Sequence, residues 1–157
     1  WTEEIGTNLF KVNKEPLDCL FWYTVAGKKN VLIQLFKKYI YNSAEHEKIF
    51  KFLQRDFSDT KTQNAAVNNA YALVDKKRYM HALAFFIYGQ KIDEAISVCL
   101  SKLKDINLAF LMCNLMDDNT NRNKLIDMML KEGDVWAKHV GYFYKNQHID
   151  SFNCLFE

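Results

Sequence analysis

Residues 79–88 read YMHALAFFIY, Gly89-Gln90-Lys91 interrupts them, and residues 92–103 read IDEAISVCLSKL. The second run places Ile92, Ala95, Ile96, Cys99, Leu100 and Leu103 at i, i+3, i+4, i+7, i+8 and i+11. That spacing is the 3.6-residue repeat of an amphipathic helix. Asp93 and Glu94 fall in its first turn and Lys102 and Lys104 at its end, as the helix macrodipole favours. The first run is apolar nearly all round, which predicts a central, buried helix. Gly89 is the predicted left-handed cap between the two. The expected core centres on Ala84, Phe85, Ile96, Cys99, Leu100 and Phe110; Phe86 is left unplaced, because an all-apolar helix does not announce its solvent side.

The same helix–turn–helix pattern extends in both directions. Upstream, Pro16 suits a first helical position, and Leu17, Leu20, Phe21 and Val25 form a face that stops at Gly27. Val31, Leu32, Leu35, Phe36, Tyr39 and Ile40 form the next face. Ser43 caps a helix carrying Ile49, Phe50, Leu53 and Phe57. Asp59-Thr60 opens another, whose narrow face of Ala66, Ala70, Leu73 and Val74 allows close helix approach. The mid-helix pair Asn68-Asn69 reads as a polar contact between helices in preference to a partner site. Downstream, Asp105 caps an apolar helix to Met116, and DDNTNRN at 117–123 reads as a polar loop before a helix at 124–131. Gly133-Asp134 separates that helix from one with Val135, Trp136, Val140 and Phe143. A last helix is predicted at 149–156, after a turn at Asn146.

These segments group as about five antiparallel pairs of about 25–33 residues each, the period of a helical-repeat array. Residues 27–36, 89–98 and 146–155 share a polar turn leading into an amphipathic helix. The predicted fold is therefore all-α, an α-solenoid in which each pair buries its apolar face on the next. A non-repeating helical bundle is the alternative. Residues 1–14 read as a lead-in and 15–157 as the helical-repeat segment; because the chain begins at Trp1, it reads as part of a larger protein.

Composition narrows the function. The 157 residues are 49% hydrophobic and 25% charged, with one proline and five glycines, which suits long helices and not an all-β domain. A net charge of +2, with lysines scattered over every predicted helix, provides no phosphate-tracking stripe, so nucleic acid is not an expected partner. Cys19, Cys99, Cys113 and Cys154 sit singly in apolar patterns as small core residues, which fits a reducing compartment. No apolar run approaches the ~18 residues of a membrane span.

Catalytic and metal motifs are not found. His46-Glu47 begins like HExxH, but the fifth position is Phe50. His81 reads as a hydrogen-bonded core or groove residue, His139 as packing or surface, and His148 as part of a turn. Gly6, Gly27, Gly89, Gly133 and Gly141 are isolated, so no phosphate-cradling loop exists. The expectation is a protein-binding scaffold, not an enzyme, with no catalytic, cofactor or metal residues and its binding face unknown. A Cys–His site assembled only in space is the enzymatic alternative.

Residues 64–110 carry a more specific order. Asn69-Ala70 is followed by Arg78, then by Ala84-Phe85-Phe86, Gly89, the run from Asp93 to Leu100, and Asp105 to Ala109. Glu15-Pro16-Leu17-Asp18, Phe21, Tyr23 and Lys28-Lys29 precede them. This series resembles the large subunit of the RAVE complex, the regulator of V-ATPase assembly, and its animal counterparts, the rabconnectins. The likeness is good from Lys14 to Met116 and thins beyond it. It implies a long cytosolic protein with β-propellers ahead of a helical solenoid, of which this would be the C-terminal solenoid region. It further implies a role in rejoining the catalytic sector of the V-ATPase to its membrane sector, and so in proton transport and vacuolar acidification. The implied partners are V-ATPase subunits and other RAVE-type subunits, and the implied place is the cytoplasm, peripheral to endosomal or vacuolar membranes. The resemblance supplies no catalytic residues. The competing reading is a solenoid subunit of a vesicle-coat or intraflagellar-transport complex.

Overall fold

The computed structural model describes residues 2–145. They form α1 (Thr2–Asn13), α2 (Pro16–Val25), α3 (Lys29–Lys38), α4 (Ala44–Leu53) and α5 (Thr60–Asp75). Then come α6 (Tyr79–Tyr88), α7 (Ile92–Val98), a π-helical turn at Cys99–Leu103, α8 (Ile106–Leu115), α9 (Asn119–Glu132) and α10 (Val135–Tyr144). No strand occurs among the described residues, and the all-α reading stands. The helix expected at 149–156, the turn at Asn146, His148 and Cys154 lie outside the described residues.

The chain forms two compact units, residues 1–95 and 96–157. In the first, α1 packs on α2, α2 on α3, α3 on α4 and α5 on α6, while α2 also packs on α6. In the second, the π-helical turn packs on α8, α8 on α9, and α9 on α10. Packing between sequence neighbours through short connections is the solenoid-like pattern that the periodicity predicts.

One turn geometry recurs. Gly27, Lys77, Gln90 and Asp117 have φ of 68°, 60°, 55° and 56°. Each is followed by a residue whose N–H reaches back over the turn. Lys28 donates to Tyr23 O at 2.8 Å, Arg78 to Leu73 O at 2.9 Å, Lys91 to Phe86 O at 2.9 Å and Asp118 to Cys113 O at 2.9 Å. These are Schellman closures, in which a left-handed residue lets the chain satisfy the last carbonyls of one helix and turn at once into the next. The left-handed residue after α6 is thus Gln90; Gly89, with φ −79°, is not the left-handed cap expected. Gly27 therefore corresponds to Gln90, one residue out of the register in which the two turns align as sequence.

Where helices begin, the caps are side chains. Ser43, Asp59, Asp105 and Asp134 accept from the N–H of His46, Thr62, Leu108 and Ala137. Asp118 does the same for Asn121 at 3.0 Å, so α9 starts inside the stretch read as a loop at 117–123. The segment read as a lead-in contains α1. Its inward face includes Gly6, which lies under Tyr23 and Trp22 and so leaves few apolar residues to mark the period. The Ser43 helix ends at Leu53, yet Phe57 still turns inward and stacks on Tyr88 with centroids 4.6 Å apart. The continuous helix expected over 92–103 widens to π geometry at Cys99, and Lys104 adopts φ 56° after it.

Six consecutive residues of α6, Ala82 to Ile87, are buried, as expected of a central helix. Phe86 is fully buried and Phe85 is 6% exposed; Leu100, expected in the core, is only half-buried. Ala66 and Ala70 of α5 are fully buried, so the small-residue face does bring α5 against α6. Asn68 and Asn69 are exposed, which corrects their reading as an interhelical contact. Ala66 and Ala70, one turn apart, make the buried face of α5, and Asn68, midway between them, falls on the opposite side.

Candidate protein-binding cleft

The first unit contains a cleft of about 620 Å³. α4 contributes Glu45, Lys48, Ile49 and Phe52 at i, i+3, i+4 and i+7, one face of the helix. α5 contributes Asn69, Ala72, Leu73 and Lys76 with the same spacing. Arg78, His81 and Phe85 come from the start and body of α6, and Leu17 from the first turn of α2. The volume is that of a site for a side chain or a short segment of chain.

The floor is apolar and fixed. Ile49, Phe52 and Phe85 are buried, and the Phe52 and Phe85 rings meet at 5.1 Å between centroids. Arg55 lays its guanidinium over the Phe52 ring, 5.5 Å from the centroid. That contact holds a cation at the edge of the floor without a carboxylate.

Arg78 organises the polar wall. Its guanidinium pairs with the Glu45 carboxylate, and its Nε–H donates to His81 Nδ1 at 3.1 Å. Nδ1 is therefore the acceptor nitrogen, leaving Nε2 to carry the proton of the neutral ring. His81 is also hydrogen-bonded to the Leu17 backbone, which a protonated Nε2 explains. Burial, and next the adjacent Arg78 charge, hold the imidazole below its ordinary range; Glu45, the Leu17 carbonyl and Asp18 oppose them more weakly. A neutral imidazole engaged at both nitrogens orients Arg78 and is not set up as a general base. Neither cysteine nor serine lines the cleft among the described residues.

None of His46, His139, Cys19, Cys99 and Cys113 lines the cleft. His46 is buried, with Nδ1 3.0 Å from Tyr39 O and Nε2 2.8 Å from Glu15 Oε1. The same Glu15 oxygen accepts from Leu17 N–H at 3.0 Å, capping α2 just ahead of Pro16. Glu15-Pro16 thus starts α2 and ties it to the first turn of α4. His139 contacts the Trp136 ring at 6.4 Å between centroids. Cys19, Cys99 and Cys113 are buried outside disulfides, and burial pushes the Cys19 thiol to about 11 and the Cys99 thiol to about 12. No group of three His, Cys, Asp or Glu side chains able to hold a metal occurs among the described residues.

Sequence reasoning named no binding residue, and it missed this cleft. The available signal was the spacing of Arg78 and His81, three apart on one helix face; Glu45 lies 33 residues away and meets them only in the fold.

Comparison with known proteins places these features. The family model described as RAVE protein 1 C terminal matches residues 2–156. DmX-like protein 1 of Mus musculus is 32% identical over 130 residues, covering 83% of this chain and 4% of that protein. The Regulator of V-ATPase in vacuolar membrane protein 1 is 30% identical in Schizosaccharomyces pombe, over 91% of this chain and 12% of that protein. Its Saccharomyces cerevisiae counterpart is 27% identical, over 83% of this chain and 10% of that protein. The chain spans about an eighth or less of the curated relatives it matches. With an all-α architecture and a match running over nearly its whole length, the chain belongs to the RAVE protein 1 C-terminal family, shared by the V-ATPase regulators of yeasts and the DmX-like proteins of animals.

Proposed function

We propose that this chain is a helical interaction segment of a V-ATPase regulator, one that helps bring the cytosolic catalytic sector of the pump back onto its membrane sector. The observation that carries this reading is the family match over residues 2–156, together with relatives named as regulators of V-ATPase in the vacuolar membrane. Rejoining two sectors requires positioned surfaces, not bond chemistry, and a helical array with a built cleft offers such a surface. V-ATPase subunits and other subunits of a RAVE-type complex are the proposed partners. Attachment at endosomal or vacuolar membranes would run through those partners, since no helix among the described residues is long and apolar enough to cross a membrane.

The test uses the full-length protein that contains this chain. Tagged protein should co-precipitate V-ATPase subunits from detergent-free lysate. Depletion should leave both sectors present but separated, with a raised lumenal pH in acidic organelles. Recovery of no ATPase subunit, with normal acidification in depleted cells, would reject the role.

A further inference from the structure

We propose that the cleft formed by α4, α5 and α6 is a docking site for an acidic peptide segment that carries an aromatic or aliphatic anchor. The proposal rests on reading the chain as a protein-interaction segment, but not on which complex the full protein serves.

Charge is what selects the occupant. The whole chain is nearly balanced, with 21 basic and 19 acidic residues. The cleft lining is not: Lys48, Lys51, Arg55, Lys76 and Arg78 stand against Glu45 alone. Arg78 is matched by Glu45, and Lys51 by Glu47 at 2.5 Å. That leaves Lys48, Arg55 and Lys76, all exposed, along a rim drawn from α4, the turn after it and the end of α5. Cations around a low-dielectric recess focus a positive field there, which favours carboxylates of a partner and raises their rate of encounter.

The floor selects the anchor. Phe52, Phe85, Ile49 and the half-buried Leu73 give an apolar surface beneath that rim. An apolar side chain entering there is desolvated while flanking acidic residues remain at the lysines, the arrangement of a hot spot with a polar rim.

The experiment measures fluorescence anisotropy of labelled peptides against the 157-residue chain. The first probe has a Leu-Glu-Glu-Phe core flanked by aspartate and glutamate; the second replaces its Leu and Phe with Ser; the third replaces its acidic residues with Lys. The first should bind, weaken as salt is raised, and bind more tightly than the other two. The double variant Lys48→Glu/Lys76→Glu changes only exposed residues and should weaken that binding roughly tenfold. Lys11→Glu/Lys37→Glu makes the same change in net charge on α1 and α3, outside the cleft, and should leave affinity within about twofold. No binding of the first probe would overturn the proposal, as would equal losses in the two double variants. Equal binding of the serine probe would overturn it too, because the floor would then play no part. Tighter binding of single-stranded RNA of matched charge, lost in Lys48→Glu/Lys76→Glu, would overturn it in favour of a nucleic acid. Because peptide binding in solution and pump assembly in cells are read separately, failure of one leaves the other to be judged by its own result.

Discussion

Gly89 and Val67 touch backbone to side chain: a Cβ at Gly89 would stand 2.5 Å from Val67 Cγ2, with Gln63 O at 3.2 Å and Val67 N at 3.3 Å. The φ of Gly89 is −79°, which any residue can adopt, so its want of a side chain matters here for space and not for backbone freedom. Gly89 is one of the residues on which the family resemblance rests. Its contact explains how the end of α6 can close on α5.

Gly89→Ala is expected to destabilise the chain by about 1–3 kcal/mol, the usual range for overpacking. Val67 is β-branched and cannot swing away cheaply, so the strain stays. Val67→Ala in the Gly89→Ala background should recover part of the loss. Urea unfolding of the two single variants and the double variant measures the coupling. Strict additivity would show that the two positions do not press on one another.

The adjacent position should respond in the opposite direction. Gln90 is exposed with φ 55°, a conformation that costs an L-residue about 1–2 kcal/mol. Gln90→Gly removes that cost and returns part of it through the added entropy of the unfolded chain. A net gain of roughly 0.5–1 kcal/mol is expected. A loss of stability would mean that the Gln90 side chain makes a contact worth more than the strain.

These neighbours show what a sequence reveals and what it hides. Ser43, Asp59, Asp105 and Asp134 were readable as caps because capping is local: one side chain meets an N–H three residues on. Asp118 does the same chemistry, but the turn after it is Asn-Thr-Asn-Arg, and apolar residues begin only at Leu125, so no period marks the start of α9. Gly89 is the left-handed cap expected, and the fold places Gln90 there instead; Lys77, Lys104 and Asp117 adopt the same conformation at other turns, and among the glycines of the described residues Gly27 does. At such turns, closing one helix onto the next outweighs the preference of a single residue. The cleft was unreadable for another reason. Its polar residues on α4 and α5, Glu45, Lys48, Asn69 and Lys76, look like ordinary solvated positions, and only the fold brings Glu45 to Arg78.

The buried thiols should be inert in the folded chain. With Cys19 at about 11 and Cys99 at about 12, chiefly through burial, the thiolate fraction near pH 8 is on the order of one in a thousand or less. Iodoacetamide at that pH should leave both unmodified while the chain is folded and label both in urea, as read by peptide mass spectrometry. Labelling of Cys99 at equal rates in the two conditions would contradict its burial.

His81 should make stability depend on pH in a defined window. Its folded-state pKa lies below the ordinary value, and an unfolded histidine titrates at about 6.5. Below that pH the unfolded chain takes up a proton more readily than the folded one, so stability falls as pH falls. Above it both forms are neutral and the effect vanishes. The structural reason is specific: a proton on Nδ1 removes the acceptor for Arg78 Nε–H and sets a second cation beside the guanidinium. Glutamine can accept from Arg78 and donate to the Leu17 carbonyl without titrating. His81→Gln should therefore flatten the loss of stability between about pH 7.5 and about pH 5.5, and comparing the two proteins cancels whatever the rest of the chain contributes. The measurement is the urea midpoint at the two pH values for each protein. Equal losses in both would show that His81 keeps its ordinary affinity for protons and that the Arg78 contact does not fix its tautomer.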